Sequence, residues 1–144
     1  MPSQLRPSIC AALACATLSV ATLGLTAMPA FAGEPQPFTE AAFTAAEKAG
    51  QPILIDSYAT WCDICNRQKP ILDKLMEEPK YKNYVFLRVN FDTQKDVQRQ
   101  FKAPVQSTLI VYHGDKEVAR SVGETQPEWI EDLLSQGLGK GSGS

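Results

Sequence analysis

An apolar segment followed at once by two closely spaced cysteines is the feature that most restricts the fold of this chain. Residues 52–65 read PILIDSYATWCDIC. From Pro52 to Ala59 the segment carries one charged residue, Asp56, which is the pattern of a buried strand. From Cys62 to about Glu78 the apolar residues recur at helical spacing. The cysteines are therefore predicted to lie at a junction between a strand and a helix.

The rest of the chain alternates helical and extended patterns. Thr39 is a predicted N-cap for a helix over Glu40–Ala49, which ends at Gly50. Further elements are strands at 84–91, 108–112 and 117–122, a helix from about 92 to 101, and a last helix from a capping box at Thr125 and Glu128 to about Gln136. This order predicts an α/β protein with a central mixed β-sheet flanked by helices on both faces.

Residues 1–32 have the pattern of a secretory signal peptide. One basic residue, Arg6, precedes an uncharged stretch from Ile9 to Ala27, and Ala30-Phe31-Ala32 places small residues at the cleavage position. The alternative is an uncleaved membrane anchor, because the uncharged run approaches the length of a membrane span. Cleavage predicts an exported protein with a flexible leader at 33–37, a folded domain at 38–136 and a flexible Gly/Ser tail at 137–144.

Charge and cysteine content argue against two classes of protein. The chain has 14 basic and 16 acidic residues, and Arg6 leaves with the signal peptide, so a nucleic-acid-binding surface is not expected. Cys10 and Cys15 lie in the predicted signal peptide, which leaves only Cys62 and Cys65 in the domain. One close pair does not make a disulfide scaffold, and a bridge across so short a loop removes little chain entropy.

The position of the dithiol suggests thiol–disulfide exchange. Cys62 is predicted at the start of a helix, where backbone N–H groups and the helix dipole favour a thiolate, and it is expected to be the exposed nucleophile. Cys65 lies one turn later and is placed to attack a mixed disulfide formed at Cys62. Asp56 is predicted to be desolvated with a raised pKa, which suits a base for Cys65. Arg88, in the next strand, either lies near Asp56 or points to solvent.

The motif Asp56-x-Tyr-Ala-x-Trp-Cys-x-x-Cys65, with Pro70 five residues later, resembles the thioredoxin family. The resemblance extends over about residues 38–134 and implies a thioredoxin fold. It implies that Cys62 attacks, Cys65 resolves, Asp56 relays protons and Trp61 shapes the docking surface. Electrons are carried by the sulfurs, so no bound cofactor is implied.

Among thioredoxins the chain resembles exported reductants, such as the C-terminal domain of the membrane disulfide reductase DsbD and small periplasmic thioredoxins that work beside CcdA-type transporters. This likeness implies a periplasmic monomer that reduces disulfides in exported proteins. Because the extracytoplasmic compartment is oxidising, it also implies a membrane electron donor of the DsbD or CcdA type.

The residues between the cysteines depart from the common thioredoxin pattern. They are Asp63 and Ile64 instead of Gly-Pro. An anion beside Cys62 raises the energy of the thiolate, which makes the dithiol a stronger electron donor. The alternative is that Asp63 only satisfies the helix N-terminus, as any acidic residue in a first turn does.

A second departure is Ser107, which stands where the family has a cis-proline. In the family this loop, here Gln106 to Thr108, lies against the dithiol and pairs with the substrate backbone. Serine makes a cis bond costly, by about 3 kcal/mol more than proline, so a trans Gln106–Ser107 bond is predicted. The Ser107 hydroxyl is then available to bond a thiolate or to help a metal bind.

Three alternative functions remain open at this point. A metal or iron–sulfur binding module needs ligands beyond the two sulfurs, from a second chain or from His113, which is predicted in a hairpin turn away from the dithiol. The dithiol also suits a disulfide donor or isomerase. A redox-inert binding module with the same fold is the third.

Overall fold

A computed structural model describes residues 33–139. The predicted signal peptide, with its alternative as a membrane anchor, lies outside the described residues, as does the predicted tail from residue 140 onward. Within residues 33–139, no helix combines the length and the apolar character that crossing a membrane requires.

A five-stranded mixed sheet forms the centre of the domain. Its strands, in chain order, are β1 (Gln36–Pro37), β2 (Pro52–Tyr58), β3 (Val85–Asn90), β4 (Thr108–His113) and β5 (Lys116–Val122). They are arranged in the order β1-β3-β2-β4-β5. β3 is parallel to both β1 and β2, whereas β4 is antiparallel to β2 and β5. The central strand β2 therefore carries the segment that leads to the cysteines.

Helices cover both faces of this sheet, as predicted. They are α1 (Glu40–Lys48), α2 (Asp63–Met76), α3 (Lys95–Gln100) and α4 (Pro127–Gly137), with a 3₁₀ turn at Pro79–Tyr81. Leu54 of β2 packs with side chains of α2 and α4 in one core cluster. Ile53 and Ile55 pack with α1 and with Phe101 in the other. Because side chains alternate along a strand, Asp56 lies on the same face as Leu54, under α2.

Three local features differ from the sequence prediction. Gln36 and Pro37, placed in the flexible leader, form the edge strand β1 beside β3. The predicted capping box of Thr125 and Glu128 is wrong, because the N-cap residue of α4 is Gln126 and its side chain accepts no capping hydrogen bond. Instead, Glu124 accepts hydrogen bonds from the Thr125 and Gln126 amides at 2.8 Å. Gly137, placed at the start of the tail, is the last residue of α4.

The third helix is shorter than predicted for a local reason. Asn90 ends β3, and its side-chain oxygen accepts hydrogen bonds from the amides of Asp92 and Thr93 at 2.9 and 3.1 Å. An Asn side chain that bonds the backbone two residues on offers an alternative to the helical pattern. The helix α3 consequently begins at Lys95, and the residues before it form a turn beside the cysteines.

Candidate active site

The two cysteines are joined as a disulfide at the start of α2. Cys62 is the N-cap residue, with extended backbone angles, and Cys65 lies in the first turn, with a Cα–Cα distance of 5.2 Å. The Cys65 amide donates a hydrogen bond to the Cys62 sulfur at 3.0 Å. An N–H group at a helix N-terminus stabilises negative charge, so the same amide is placed to stabilise a Cys62 thiolate after reduction.

Cys62 is less accessible than the sequence predicted. Its exposed fraction is 4%, and that of Cys65 is 1%, in this disulfide form. The N-cap position turns the sulfur over the helix amides, and the pair packs with Ala59, Ile64 and Phe91. The exposed surface next to the disulfide belongs to Trp61, with an exposed fraction of 57%.

Asp56 is buried and paired with Arg88, one of the two arrangements that the sequence left open. The two residues are directly opposite each other on β2 and β3. The Arg88 Nε atom donates to Asp56 Oδ2 at 2.9 Å, and the guanidinium lies over the Tyr58 ring at 4.3 Å. Asp56 Oδ1 accepts no hydrogen bond from the described residues. The carboxylate thus keeps one oxygen free to take up a proton.

Burial raises the pKa of Asp56, and the Arg88 charge and hydrogen bond offset only part of that rise. The carboxyl group lies under α2, the helix that carries Cys65. Cys65 itself faces the Ser57 carbonyl oxygen, at 4.0 Å from its sulfur. No hydrogen bond joins Asp56 to Cys65 in the disulfide state of residues 33–139, so a proton passing between them requires an intervening water molecule or a small movement.

Trp61 is held in place by the turn that follows β3. Its Nε1 atom donates to both carboxylate oxygens of Asp92 at 3.1 Å. Its ring meets Phe91 edge to face, with the centroids 6.1 Å apart. These contacts keep an aromatic surface open beside Cys62, which is consistent with the docking role that the family resemblance implies.

The loop at Gln106–Thr108 is adjacent to the disulfide and has an unusual backbone. All peptide bonds in residues 33–139 are trans, and Ser107 has φ of 60°, in the left-handed region. The Ser107 amide donates to the Ser57 carbonyl oxygen at 2.8 Å, the same oxygen that Cys65 faces. The Ser107 hydroxyl donates to the Gln106 carbonyl, and that of Thr108 donates to the Val105 carbonyl at 2.6 Å. The Ser107 hydroxyl therefore bonds its own loop.

Ser107→Pro is expected to destabilise the protein by about 3 kcal/mol. Proline fixes φ near −65° and has no N–H, so it loses both the observed backbone conformation and the hydrogen bond to Ser57. Denaturant unfolding measures the effect. Ser107→Gly is the matched control, because glycine adopts φ of 60° and keeps its N–H. Equal stability of the two variants would show that the loop adopts a different backbone in solution.

Asp63 and Ile64 both lie in the first turn of α2 but face different surroundings. Asp63 is exposed and takes part in no ion pair among the described residues. Ile64 packs against the cysteines and approaches Gly123, in the loop after β5. Asp63 can therefore act on Cys62 through its charge, and Ile64 acts by packing.

The metal-binding alternative gains no support from residues 33–139. No group of three or more His, Cys, Asp or Glu side chains in that range is arranged to hold a metal ion. His113 ends β4, and its Nδ1 atom lies 2.8 Å from the Gly137 carbonyl oxygen at the end of α4.

Gln68 and Asp92 contribute to the site although the sequence analysis did not select them. Gln68 is buried in α2, and its Nε2 atom donates to the Ser107 and Glu124 carbonyls at 3.3 and 2.8 Å. Gln68 lies three residues after Cys65, so it is a polar residue on the apolar face of α2. This departure from the apolar pattern could have identified Gln68 from the sequence. Nothing in the local sequence links Asp92 to Trp61, 31 positions earlier.

The site combines a βαβ unit, a dithiol at the N-terminus of its helix, a buried carboxylate beneath the dithiol and an exposed tryptophan beside it. Together these features define a thiol–disulfide exchange protein. Comparison with known sequences assigns the family. The family profile described as Thioredoxin matches residues 34–136, and the chain belongs to the thioredoxin family.

Individual relatives agree with this assignment. Thioredoxin of Coprinus comatus is 32% identical over 96 residues, which cover 67% of this chain and 90% of the relative. Among solved structures, Trxlp from Edwardsiella tarda EIB202 is 44% identical with a TM-score of 0.68, over 70% of this chain and 98% of that one. Thioredoxin of Malassezia sympodialis, 20% identical with a TM-score of 0.63 over 72% of this chain and 92% of that one, shares the fold.

The chain is a thiol–disulfide oxidoreductase that uses the Cys62–Cys65 pair. In the order that the family resemblance implies, and in the reducing direction, a Cys62 thiolate attacks one sulfur of a protein disulfide, forms a mixed disulfide and releases the other sulfur as a thiolate. The Cys65 thiolate then attacks the Cys62 sulfur, which releases the second substrate thiolate. The substrate gains two electrons, and the enzyme is left with the observed disulfide. This second step requires Cys65 to lose its proton, and Asp56 is the base that the sequence analysis predicts for that transfer.

Proposed function

We propose that this thioredoxin is an exported reductase of protein disulfides, supplied with electrons by a membrane donor of the DsbD or CcdA type. The observation that carries the reducing direction is the exposed Asp63 carboxylate next to Cys62, with no cation paired to it among the described residues. An unneutralised anion there raises the energy of the Cys62 thiolate. A dithiol with a costlier thiolate gives up its electrons more readily.

The export part of the proposal is supported by residues 1–32. Their uncharged stretch and their Ala-x-Ala ending match a secretory signal peptide. A reductant in an oxidising compartment requires a supply of electrons, because its disulfide form cannot be recycled by cytoplasmic enzymes. A membrane protein that passes reducing equivalents across the bilayer meets this requirement.

The equilibrium reduction potential of the Cys62–Cys65 pair tests the direction of exchange. We expect a value near or below about −270 mV for metal-free protein titrated against a dithiothreitol buffer. Asp63→Asn is expected to raise the potential by about 10 to 30 mV, since it removes the anion beside Cys62. A wild-type value near about −120 mV would instead identify a disulfide donor or isomerase.

The protein for this titration should be recovered from the periplasmic fraction of cells that express the full chain. We expect its mass to correspond to a chain that begins at Gly33. Protein that begins at Met1 and stays in the cytoplasm would contradict export, whatever its potential. Protein that begins at Met1 in the membrane fraction would indicate the uncleaved anchor.

A further inference from the structure

A groove with a basic lining lies beside the surface formed by Trp61. It has a volume of about 550 Å³ and is lined by Phe91, Lys95, Gln98, Arg99, Lys102 and Pro104. Three of these side chains are cationic and none is acidic. The basic groove is a local exception in a chain whose net charge is −2.

The basic groove is continuous with the surface around the dithiol. Phe91 lines the groove and also packs edge to face against Trp61. Lys95 extends over the Phe91 ring, with its Nζ atom 4.0 Å from the centroid. At the other end, Pro104 begins the segment that leads to Ser107. An extended chain bound across Trp61 would therefore reach the basic groove within a few residues.

The charges of the basic groove are largely free to act on a partner. Lys95, Arg99 and Lys102 are all exposed. Of the ion pairs formed within residues 33–139, only Arg99 with Asp96 involves one of these three side chains. The Lys95 ammonium group donates to the Phe91 carbonyl at 2.5 Å, which neutralises no charge. The groove thus presents an excess of positive charge.

Lys102 occupies a backbone position that glycine would fill with less strain. Its φ is 49°, and it is one of two non-glycine residues with positive φ in residues 33–139. Arg120 holds the turn by donating to the carbonyl oxygens of Phe101 and Lys102 at 2.8 and 3.1 Å. Lys102 is the left-handed residue that ends α3, because its amide and that of Ala103 donate to the Arg99 and Gln98 carbonyl oxygens at 3.1 and 2.8 Å, and this turn places the Lys102 side chain at the rim of the groove.

We propose that the basic groove binds an acidic segment that flanks the target disulfide of a client protein. This inference rests on the proposed reduction of protein disulfides. It adds that negative charge next to a client's disulfide determines which clients this protein prefers. Opposite charges across a contact raise the association rate and set the register of docking. The negative net charge of the chain and the small size of the groove favour a peptide segment over a nucleic acid.

The test compares two synthetic peptides with the same intramolecular disulfide, one flanked by three Glu residues and the other by three Gln residues. Stopped-flow kinetics with the reduced wild-type protein give a rate constant for each. At low ionic strength we expect the acidic peptide to be reduced about 5- to 10-fold faster. The ratio should fall toward one in about 0.5 M salt, because salt screens exposed charges.

Two charge-matched variants locate the effect. The groove variant Lys95→Gln/Arg99→Gln/Lys102→Gln is expected to lower the acidic-to-neutral ratio to about one. The control variant Lys48→Gln/Lys74→Gln/Lys82→Gln removes three exposed cations elsewhere and is expected to keep the wild-type ratio. Since each acidic-to-neutral ratio is measured with one variant, a general loss of folded protein lowers both rates equally and leaves the ratio unchanged. An equal loss of preference in both variants would assign the effect to net charge and overturn the proposal.

A binding measurement separates this proposal from the proposed function. Fluorescence anisotropy is recorded with labelled peptides in which serines replace the cysteines. One outcome is that neither disulfide peptide is reduced, while the wild type binds the acidic peptide more tightly than the groove variant does. This outcome would reject the reductase function and support binding by the basic groove. Reduction of both peptides at equal rates with equal binding would reject the groove alone. Tighter binding of phosphatidylglycerol vesicles than of the acidic peptide would also overturn the proposal.

Discussion

Cys62→Ser is expected to lower the rate of protein-disulfide reduction by more than about a thousandfold. The serine hydroxyl stays protonated at neutral pH, so the amide of Cys65 has no thiolate to stabilise and no nucleophile attacks the substrate. Reduction of insulin by dithiothreitol, followed by turbidity, measures the loss.

Cys65→Ser is the matched variant and should fail at a different step. Its Cys62 still attacks, but no second sulfur resolves the mixed disulfide, so the substrate stays bound to the enzyme. We expect a covalent enzyme–substrate complex on a non-reducing gel with Cys65→Ser and none with Cys62→Ser. Complexes formed by Cys62→Ser alone would mean that the assigned order of the two sulfurs is reversed.

Asp56→Asn is expected to slow the resolving step about 100-fold at pH 7, because an amide cannot take the Cys65 proton. The defect should diminish as pH rises and Cys65 loses its proton without help. Single-turnover kinetics from pH 6 to pH 9 test this dependence. Asp132→Asn, an exposed change on α4 with the same loss of charge, serves as the control. Equal rates for the two variants across this range would remove Asp56 from the proton pathway.

The same Asp56→Asn variant should be more stable than the wild type at pH 7, because the amide removes a buried charge whose burial the Arg88 pair only partly offsets. Burial raises the pKa of Asp56 in the folded state above 3.8, so the folded protein holds this proton more tightly than the unfolded chain. The wild type therefore loses stability as pH rises from about 3.8 through the raised pKa, and the variant does not.

Denaturant unfolding of the disulfide form at several pH values tests this stability prediction. The advantage of Asp56→Asn should shrink as pH falls toward 3.8, where both states of the wild type become protonated. A variant less stable than the wild type at pH 7 would mean that the ion pair with Arg88 outweighs the burial of the carboxylate. Greater stability with slower resolution would identify Asp56 as a residue kept for function at a cost in stability.

The fold and the central chemistry of this protein were accessible from local sequence. The apolar run from Pro52 and the helical pattern after Cys62 correctly predicted β2 and α2. The alternation of strands and helices predicted the mixed sheet covered on both faces. These features depend on periodicity over a few residues, which the sequence displays directly. The pairing of Asp56 with Arg88 could be anticipated as one of two options, because neighbouring apolar strands lie side by side.

Other parts of the site arise from contacts between residues far apart in the chain. Asp92 orients Trp61 across 31 positions, and Gln68 holds the Ser107 carbonyl across 39. The basic groove is similar, since it forms only where the turn at Lys102 brings that side chain beside α3. Hydrogen-bond partners and surface charge patterns of this kind depend on how the elements pack, which local propensity does not specify.

The sequence by itself determined the class of this protein, because a strand, a dithiol at the following helix and an aspartate in the strand are all encoded within residues 52–78. Only the tertiary structure decided how accessible and how charged the site is. Packing buries Cys62, pairs Asp56 with Arg88 and turns the Ser107 hydroxyl toward its own loop. The physical reason is that burial and electrostatics are properties of the assembled surroundings, whereas hydrophobic period and turn chemistry are properties of the chain.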